Sequence, residues 1–305
     1  MLHVYLDTRV LPVTYDVIKY MVFCNAVAKK NNIERIHVHI VAAGFRQLTP
    51  RDFGTSDPEK RSRVKNIFIG LSFLFPRVCA VDYSEVAPET VYFPCLPEKY
   101  NPFSPPPVPY SFDLLEDISS RGFPIKVLRP TNAGLFKTQA IRNGGRYATM
   151  TLRTSLWDAV RDGALDIYYE AYRKLEVALN CKIIVVPDYD DVFIGQQYKN
   201  YPWSSFEGAS VDQDVRVALY SESLVNICMA GGTASLAYLV EAPFISFGNL
   251  NNKSPVGDLK FYKKSNIKIG WQPSWFGSTH RFDWREASEV DVEHIVSQSI
   301  DLLKS

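Results

Sequence analysis

The chain has 305 residues, and its 34 basic and 33 acidic side chains leave a formal net charge of +1. This balance excludes a general basic field for nucleic acid or an anionic membrane, so an anionic ligand must be bound locally. Hydrophobic residues make up 46% and charged residues 22%, which is typical of a globular protein. The length predicts two domains of roughly 150 residues each.

The sequence predicts a cytosolic protein. Its N-terminus, MLHVYLDTRV, lacks the basic-then-apolar pattern of a signal peptide. No run of about 20 apolar residues is present to span a bilayer. No His/Cys/Asp cluster shows zinc spacing along the chain, and His37 and His39 alternate on one strand face without an obvious ligand partner. The odd number and scatter of the cysteines predict reduced thiols: Cys24, Cys79, Cys95, Cys181 and Cys228.

Strands and helices alternate through the first half, which predicts a βαβ opening and a parallel sheet. The proline-dense stretch 94–109 is predicted to be an extended surface segment, because proline disrupts helix and sheet interiors. The predicted elements are strand 2–7, helix 15–30, strand 36–44, helix 64–75, strand 78–84 and strand 124–130.

The second half repeats this alternation and ends on an amphipathic helix with apolar residues at helical intervals. We place the change of domain at residue 145, giving domains 1–145 and 146–305. The predicted fold class is therefore α/β, with two Rossmann-like domains facing a cleft. The predicted elements are strand 147–153, helix 167–180, strand 181–188, helix or turn 215–223, strand and turn 226–232, helix 233–242, strand 243–248 and helix 289–305.

An abrupt small-residue turn, AGGTAS, separates a predicted strand from a predicted helix. Gly231 and Gly232 permit a tight turn, and the N–H groups at the following helix N-terminus would suit a phosphate. Thr233 and Ser235 would cap the helix or donate hydroxyls to the anion. The alternative is that the glycines only allow close packing. The stretch matches neither the Walker loop nor the GxGxxG fingerprint.

Residues 226–248, NICMAGGTASLAYLVEAPFISFG, resemble the C-terminal half of GT-B glycosyltransferases, particularly of the heptosyltransferase type. The strand YATMTLR followed by KIIVVPD is similar to fucosyltransferase-like GT-B proteins. The segment IGWQPSWF also resembles one in uncharacterised bacterial glycosyltransferase-like proteins. The resemblance covers roughly residues 147–285 and implies a metal-independent glycosyltransferase. It further implies that 146–305 binds a nucleotide sugar and 1–145 the acceptor.

The resemblance implies roles for individual residues. Arg153 would bind the donor diphosphate together with Gly231, Gly232 and Thr233, and its guanidinium can hold two phosphate oxygens at once. Ser221 and Glu222 would hold the ribose or base, and Glu241 the donor sugar. The alternatives are a surface salt bridge for Arg153 and solvated helix ends for the others.

Asp7 is the candidate general base, because it ends the first strand and strand carboxyl ends face the cleft. The alternative for Asp7 is a turn or cap residue. The Gly-Asp/Asn-Ser-Gly-Pro and His elements of heptosyltransferases are absent, and Ala230 to Ser235 stand in their place. The donor sugar is therefore left open.

Two other functions stay open. PDYDD, residues 187–191, would present Asp188 and Asp190 to Mg²⁺ or Mn²⁺, as in metal-dependent GT-A transferases. A nucleotide-sugar epimerase or hydrolase, or a non-catalytic binding protein, would use the same turn. The expected partners are a nucleotide sugar and a glycan or lipid-linked acceptor of polysaccharide biosynthesis, without nucleic acid. A lipid-linked acceptor would bring the protein to the inner face of the membrane.

Overall fold

The computed structural model describes residues 1–9, 11–45, 47, 55–86, 112–154, 164–254, 257–264 and 267–304. The chain divides into two compact units, Met1–Thr131 and Asn132–Ser305. The sequence predicts the division at residue 145, but the structure places it earlier. The helices between residues 132 and 145 pack within the second unit. There Lys137 Nζ lies 2.7 Å from Asp212 Oδ2.

The first unit is a three-stranded parallel sheet with helical crossovers. The strand order is β1-β2-β3, and β1 pairs with β2 in a continuous register. Helix α2 begins at a Ser56 cap and continues as a π-helical turn, Val64–Ile69, and a helical turn, Gly70–Ser72. The elements are β1 (Leu2–Asp7), α1 (Val17–Lys30), β2 (Ile36–Val41), α2 (Asp57–Arg63), β3 (Val78–Ser84) and α3 (Phe112–Ser120).

The second unit is a five-stranded parallel sheet in the order β5-β4-β6-β7-β8. Its elements begin with α4 (Asn132–Lys137), α5 (Gln139–Asn143), β4 (Tyr147–Thr151), α6 (Leu165–Leu179) and β5 (Lys182–Val186). They continue with α7 (Gly208–Val211), α8 (Gln213–Ser221), β6 (Asn226–Met229), α9 (Ala234–Ala237) and β7 (Phe244–Phe247). They end with α10 (Leu259–Lys264), β8 (His280–Phe282) and α11 (Val292–Leu302).

The core of the second unit explains why its strands are short apolar runs. Every residue of β4, β6 and β7 is buried, as expected for a parallel sheet covered on both faces. Helix α6 contributes Ala171 and Leu175 to this core, and the C-terminal α11 contributes Ile295 and Leu302. The predicted α/β class with two Rossmann-like units is thus confirmed.

Two predicted elements differ clearly from the structure, and one strand was not predicted. Residues 124–130 form no strand, because prolines at both ends remove ladder donors; Arg129 N donates to Leu74 O at 3.0 Å, outside any sheet. The predicted helix 233–242 shortens to α9, which ends at Ala237 and is followed by turn and bend residues up to Pro243. Strand β8 was not predicted. The proline-dense stretch 94–109 lies outside the described residues.

Four cysteines fall in the described part of the chain, and all four are free thiols. Cys24 and Cys228 are buried, whereas Cys79 is exposed on β3. No helix within the described ranges combines the length and apolarity needed to cross a membrane.

Candidate functional site

The strand order of the second sheet marks one place at which its connections reverse direction. The chain passes from β4 outward to β5 and then back across β4 to β6. In open parallel sheets, ligands bind at such a switch point, outside the carboxyl ends of the two strands. Arg153 follows β4 and Gly231 follows β6, so the topology brings these two predicted site residues to the switch point.

The turn after β6 has open backbone donors. Ala230 N closes the ladder by donating to Phe247 O at 2.8 Å, and Ser235 N donates to Gly232 O at 3.1 Å. Among the described residues, no acceptor is found for the N–H groups of Gly231, Gly232 and Thr233. Consecutive N–H groups of this kind form a concave site for an anion.

Thr233 and Ser235 are both buried and lie within this turn. Thr233 occupies the N-cap position of α9, but its side chain makes no capping hydrogen bond. The purely structural alternative of a capping hydroxyl is therefore not realised by Thr233. Helix α9 has four residues, so the turn itself supplies the donors.

Arg153 lies directly against this turn. A Cβ built on Gly231 would come within 2.9 Å of Arg153 Cδ, closer than a real side chain tolerates. Gly231 is thus needed because the arginine side chain passes over it. Arg153 is 7% exposed, and its backbone N–H donates to Met229 Sδ at 3.0 Å. This burial rules out the alternative of an ordinary surface salt bridge.

Arg153 belongs to a charged cluster with Asp188, Asp190 and Arg216. Burial and the Asp190 charge raise the pKa of the Asp188 carboxyl, whereas the Asp190 N–H, Arg153 and Arg216 act against that rise. Asp190 N donates to Asp188 Oδ1 at 3.3 Å. Arg216 is completely buried on α8, and its Nε donates to Ala209 O at 2.5 Å. The cluster places two cations and two carboxyl groups beside the switch point.

The third acidic residue of PDYDD has a structural role. Asp191 Oδ1 accepts a hydrogen bond from Gln197 N at 2.9 Å, and Asp191 Oδ2 accepts one from Tyr198 N at 3.2 Å. A Cβ on Gly195 would meet Asp191 Oδ1 at 2.5 Å. Asp191 therefore closes the π-helical turn after β5, and its carboxylate is engaged by the backbone of that turn.

A cavity of about 220 Å³ adjoins the turn on its β7 side. Met229 and Ala230 at the end of β6 line it, as does Tyr168 from α6. Lys253 and Glu286 add one cation and one carboxylate to its wall. The cavity therefore joins an aromatic surface to polar groups, a combination typical of sites for small organic ligands.

Three predicted donor-binding residues lie elsewhere. Ser221 ends α8 and Glu222 follows it, so both precede β6. They lie at the side of the sheet where its strands begin, which we call the amino edge; the carboxyl edge is the side where the strands end. Glu222 forms an ion pair with Arg142. Glu241 is exposed in the turn before β7, also at the amino edge. The structure does not bring these three residues together with Arg153 and Gly231.

Asp7 lies at the carboxyl end of β1, as predicted, and is completely buried. Its carboxylate is held by Arg9, whose Nε donates to Asp7 Oδ1 at 3.0 Å and whose backbone N donates to the same oxygen at 2.9 Å. The hydrogen bonding of the Arg9 side chain to Asp7 is the main cause that raises the pKa of Arg9. As a general base, Asp7 would first have to leave this ion pair.

Sequence reasoning missed Arg216, Lys253 and Glu286. The signal for Arg216 was present, since an arginine between two valines of an apolar helix must be buried or interrupt the apolar face. Lys253 and Glu286 lie on loops 33 positions apart and gave no signal. The IGWQPSWF segment supports the fold, because Gln272 exchanges hydrogen bonds with the backbone of Phe282 at 2.7 and 2.8 Å.

The whole chain is similar to solved glycosyltransferase structures. ADP-heptose LPS heptosyltransferase II of E. coli shares 10% identity at a TM-score of 0.57, covering 100% of this chain and 99% of that chain. A glycosyltransferase of family 9 from Veillonella parvula shares 9% identity at a TM-score of 0.54, covering 99% and 97%. These likenesses confirm the GT-B fold predicted from the resemblance. No protein-family profile and no curated protein matches this sequence.

Proposed function

We propose that the protein is a GT-B glycosyltransferase that transfers a sugar from a nucleotide-sugar donor to a glycan or glycoconjugate acceptor. The observation that carries the proposal is the pairing of Arg153 with the open N–H groups of the Gly231–Thr233 turn at the switch point. A diphosphate needs cationic and N–H donors converging from one side, and both are preorganised here. The whole-chain fold similarity to glycosyltransferases supports the same reaction class.

The neighbouring cavity would take the nucleoside. It opens beside Ala230, one residue before the turn, so a nucleoside in it would present its phosphates to Gly231. Tyr168 offers an aromatic wall to a base, and Glu286 offers carboxylate oxygens to ribose hydroxyls. This assignment places the nucleoside at the carboxyl edge rather than at Ser221, Glu222 and Glu241.

The first unit would bind the acceptor, with Asp7 as the general base. In this proposal the acceptor hydroxyl attacks the anomeric carbon of the donor, Asp7 accepts its proton, and the nucleoside diphosphate leaves toward Arg153. The Arg9 guanidinium holds the Asp7 carboxylate by hydrogen bonds until the acceptor takes its place. The reaction would serve polysaccharide biosynthesis in the cytoplasm, at the inner face of the membrane where the acceptor is lipid-linked.

A metal-dependent transfer through Asp188 and Asp190 is the second candidate. The observation in its favour is that the two carboxyl groups are close enough for Asp190 to raise the pKa of Asp188. Mg²⁺ or Mn²⁺ would relieve this repulsion while bridging donor phosphates. Arg153 and Arg216 compete for the same carboxyl groups, which is why the metal-independent reaction is the first proposal.

A thermal-shift panel of nucleoside diphosphates, cytidine monophosphate and their sugar conjugates, with and without Mg²⁺, tests both candidates. A ligand at about 100 times its dissociation constant adds about 2.7 kcal/mol, enough to raise Tm by several degrees. A shift without metal that Arg153→Ala abolishes supports the first proposal. A shift only with metal, lost in Asp188→Asn, supports the second. Sugar release without an acceptor indicates a hydrolase or epimerase, and no shift with any nucleotide contradicts both candidates.

A further inference from the structure

Three histidines converge on one face of the first sheet. His3 on β1 pairs in register with His37 on β2, and His39 lies two residues further along β2. The Nδ1 atom of His3 lies 2.8 Å from Nε2 of His39. One ring nitrogen from each of the three residues lies within 4.8 Å of the others. Parallel pairing therefore assembles a cluster that sequence spacing did not reveal.

A carboxylate adjoins the same cluster. Asp82 on β3 is the register partner of His39, and its Oδ2 lies 3.2 Å from His39 Nδ1. The same oxygen lies 2.8 Å from His37 Nε2. The three strands of the sheet thus each contribute to one group of side chains, which we call the histidine cluster: His3, His37, His39 and Asp82.

The histidine cluster is accessible to a small ion. The His37 and His39 side chains are 20% exposed and the Asp82 side chain is 60% exposed. Side chains alternate between the two faces of a strand, so Val4, next to His3, and Val38, between His37 and His39, point into the core. The histidines are therefore held by a packed scaffold while their rings reach solvent.

We propose that the histidine cluster binds one divalent late transition-metal ion, with Zn²⁺ as the best chemical match. Imidazole nitrogens are preferred ligands of Zn²⁺, and bonds of 2.0–2.1 Å place tetrahedral ligand atoms about 3.4 Å apart. The 2.8 Å separation of His3 Nδ1 and His39 Nε2, and the limit of 4.8 Å for all three ligand atoms, need small ring rotations to reach that value. Asp82 supplies the negative charge that orients and polarises ligand imidazoles. The ion would join the three strands and is independent of the donor site.

The test is Zn²⁺ titration by calorimetry of the full chain, stripped with chelator and free of histidine tags. We expect one ion per chain, loss of that binding in His37→Ala and His39→Ala, and about 10–100-fold weaker binding in Asp82→Asn. Co²⁺ should give the intense visible bands of a tetrahedral site. Circular dichroism checks that each variant is folded, which the partial exposure of these side chains favours.

Cys79→Ser is the matched control, because this exposed thiol lies on the same sheet and could bind Zn²⁺ by itself. It should leave the stoichiometry and affinity unchanged. Absence of Zn²⁺ binding to the wild-type chain would overturn the proposal. Equal binding by a folded His37→Ala/His39→Ala double variant would overturn it too, as would binding that follows Cys79.

Discussion

The two edges of the second sheet use charged residues in different ways. At the carboxyl edge Arg153 is 7% exposed and lies against Gly231, and its charge acts to lower the pKa of Asp188. At the amino edge the Arg142 and Glu222 side chains are 28% and 38% exposed and pair with each other in solvent. Among the described residues, the N–H groups of Gly231, Gly232 and Thr233 have no acceptor at the carboxyl edge.

This difference shows how burial changes the strength with which a charge can interact with a ligand. A solvated ion pair contributes about 0–1 kcal/mol and is screened by salt. A buried cation beside open N–H groups is only weakly screened, so it interacts strongly with an anion that displaces water from it. We therefore expect substitutions at the carboxyl edge to change ligand binding and those at the amino edge to leave it unchanged.

Arg153→Ala should give the largest effect. Each charge-assisted hydrogen bond lost to the donor diphosphate is worth about 1.5–3 kcal/mol, which weakens donor binding about 10–100-fold. Titration of the donor identified in the nucleotide panel measures this change. Arg153→Lys is the matched control, since it keeps the charge but not the planar fork, and it should lose less. Unchanged affinity in Arg153→Ala would remove the distinction between the two edges.

Gly231→Val should weaken donor binding next most, because its Cβ would lie 2.9 Å from Arg153 Cδ and displace that side chain. Gly231→Ala is the graded control, with the same Cβ and less bulk. If Gly231 acts through Arg153, the two substitutions should be non-additive by about 0.5–3 kcal/mol in a double-mutant cycle. Fully additive losses would show that the turn and the arginine bind separately.

Asp188→Asn should change the pH dependence of stability. Because the pKa of Asp188 is raised, the folded chain holds this proton more tightly than an unfolded chain that titrates near 3.8. The contribution of Asp188 to stability is present below that pH and is lost as pH rises through the folded-state pKa. Asparagine does not titrate, so the Tm of the variant relative to wild type should rise with pH, by about 2–4 °C per kcal/mol.

Tm measured from pH 4 upward for both proteins tests this sign. Asp191→Asn serves as a control of a different kind, since its carboxylate accepts two backbone hydrogen bonds and its loss should destabilise the π-helical turn. A Tm difference between Asp188→Asn and wild type that is flat or falls with pH would mean that Arg153 and Arg216 outweigh burial at Asp188.

Neighbouring residues at the carboxyl edge are easier to predict from sequence than those at the amino edge, for a physical reason. Strand ends and glycine turns are local features, and parallel topology brings Arg153 and Gly231 together wherever β4 and β6 are neighbours. Glu222 and Glu241 were predicted from resemblance alone. Both residues precede a strand and therefore lie at the amino edge. Asp188 was predicted as a candidate metal ligand, but its arginine neighbours come from the segment after β4 and from α8 and depend on packing.

The histidine cluster shows the same limit at longer range. His37 and His39 were visible as an alternating pair on a predicted strand, but the third ligand comes from β1 and the carboxylate from β3. Register decides which residues become neighbours, and a shift of one position would turn His3 to the opposite face. Predicting such a site would have required the register of two strand pairs, β1 with β2 and β2 with β3.

Glu222→Ala should give the smallest effect and therefore tests the amino edge most directly. Loss of its exposed ion pair with Arg142 should cost at most about 1 kcal/mol of stability. Donor affinity, measured as for Arg153→Ala, should not change, because Glu222 precedes β6 while the proposed diphosphate site follows it. Arg142→Ala is the matched control and should lose somewhat more stability, because Arg142 Nη1 also donates to Leu135 O at 3.1 Å. A tenfold loss of affinity in Glu222→Ala but not in Arg142→Ala would return Glu222 to the donor site and place the nucleoside at the amino edge.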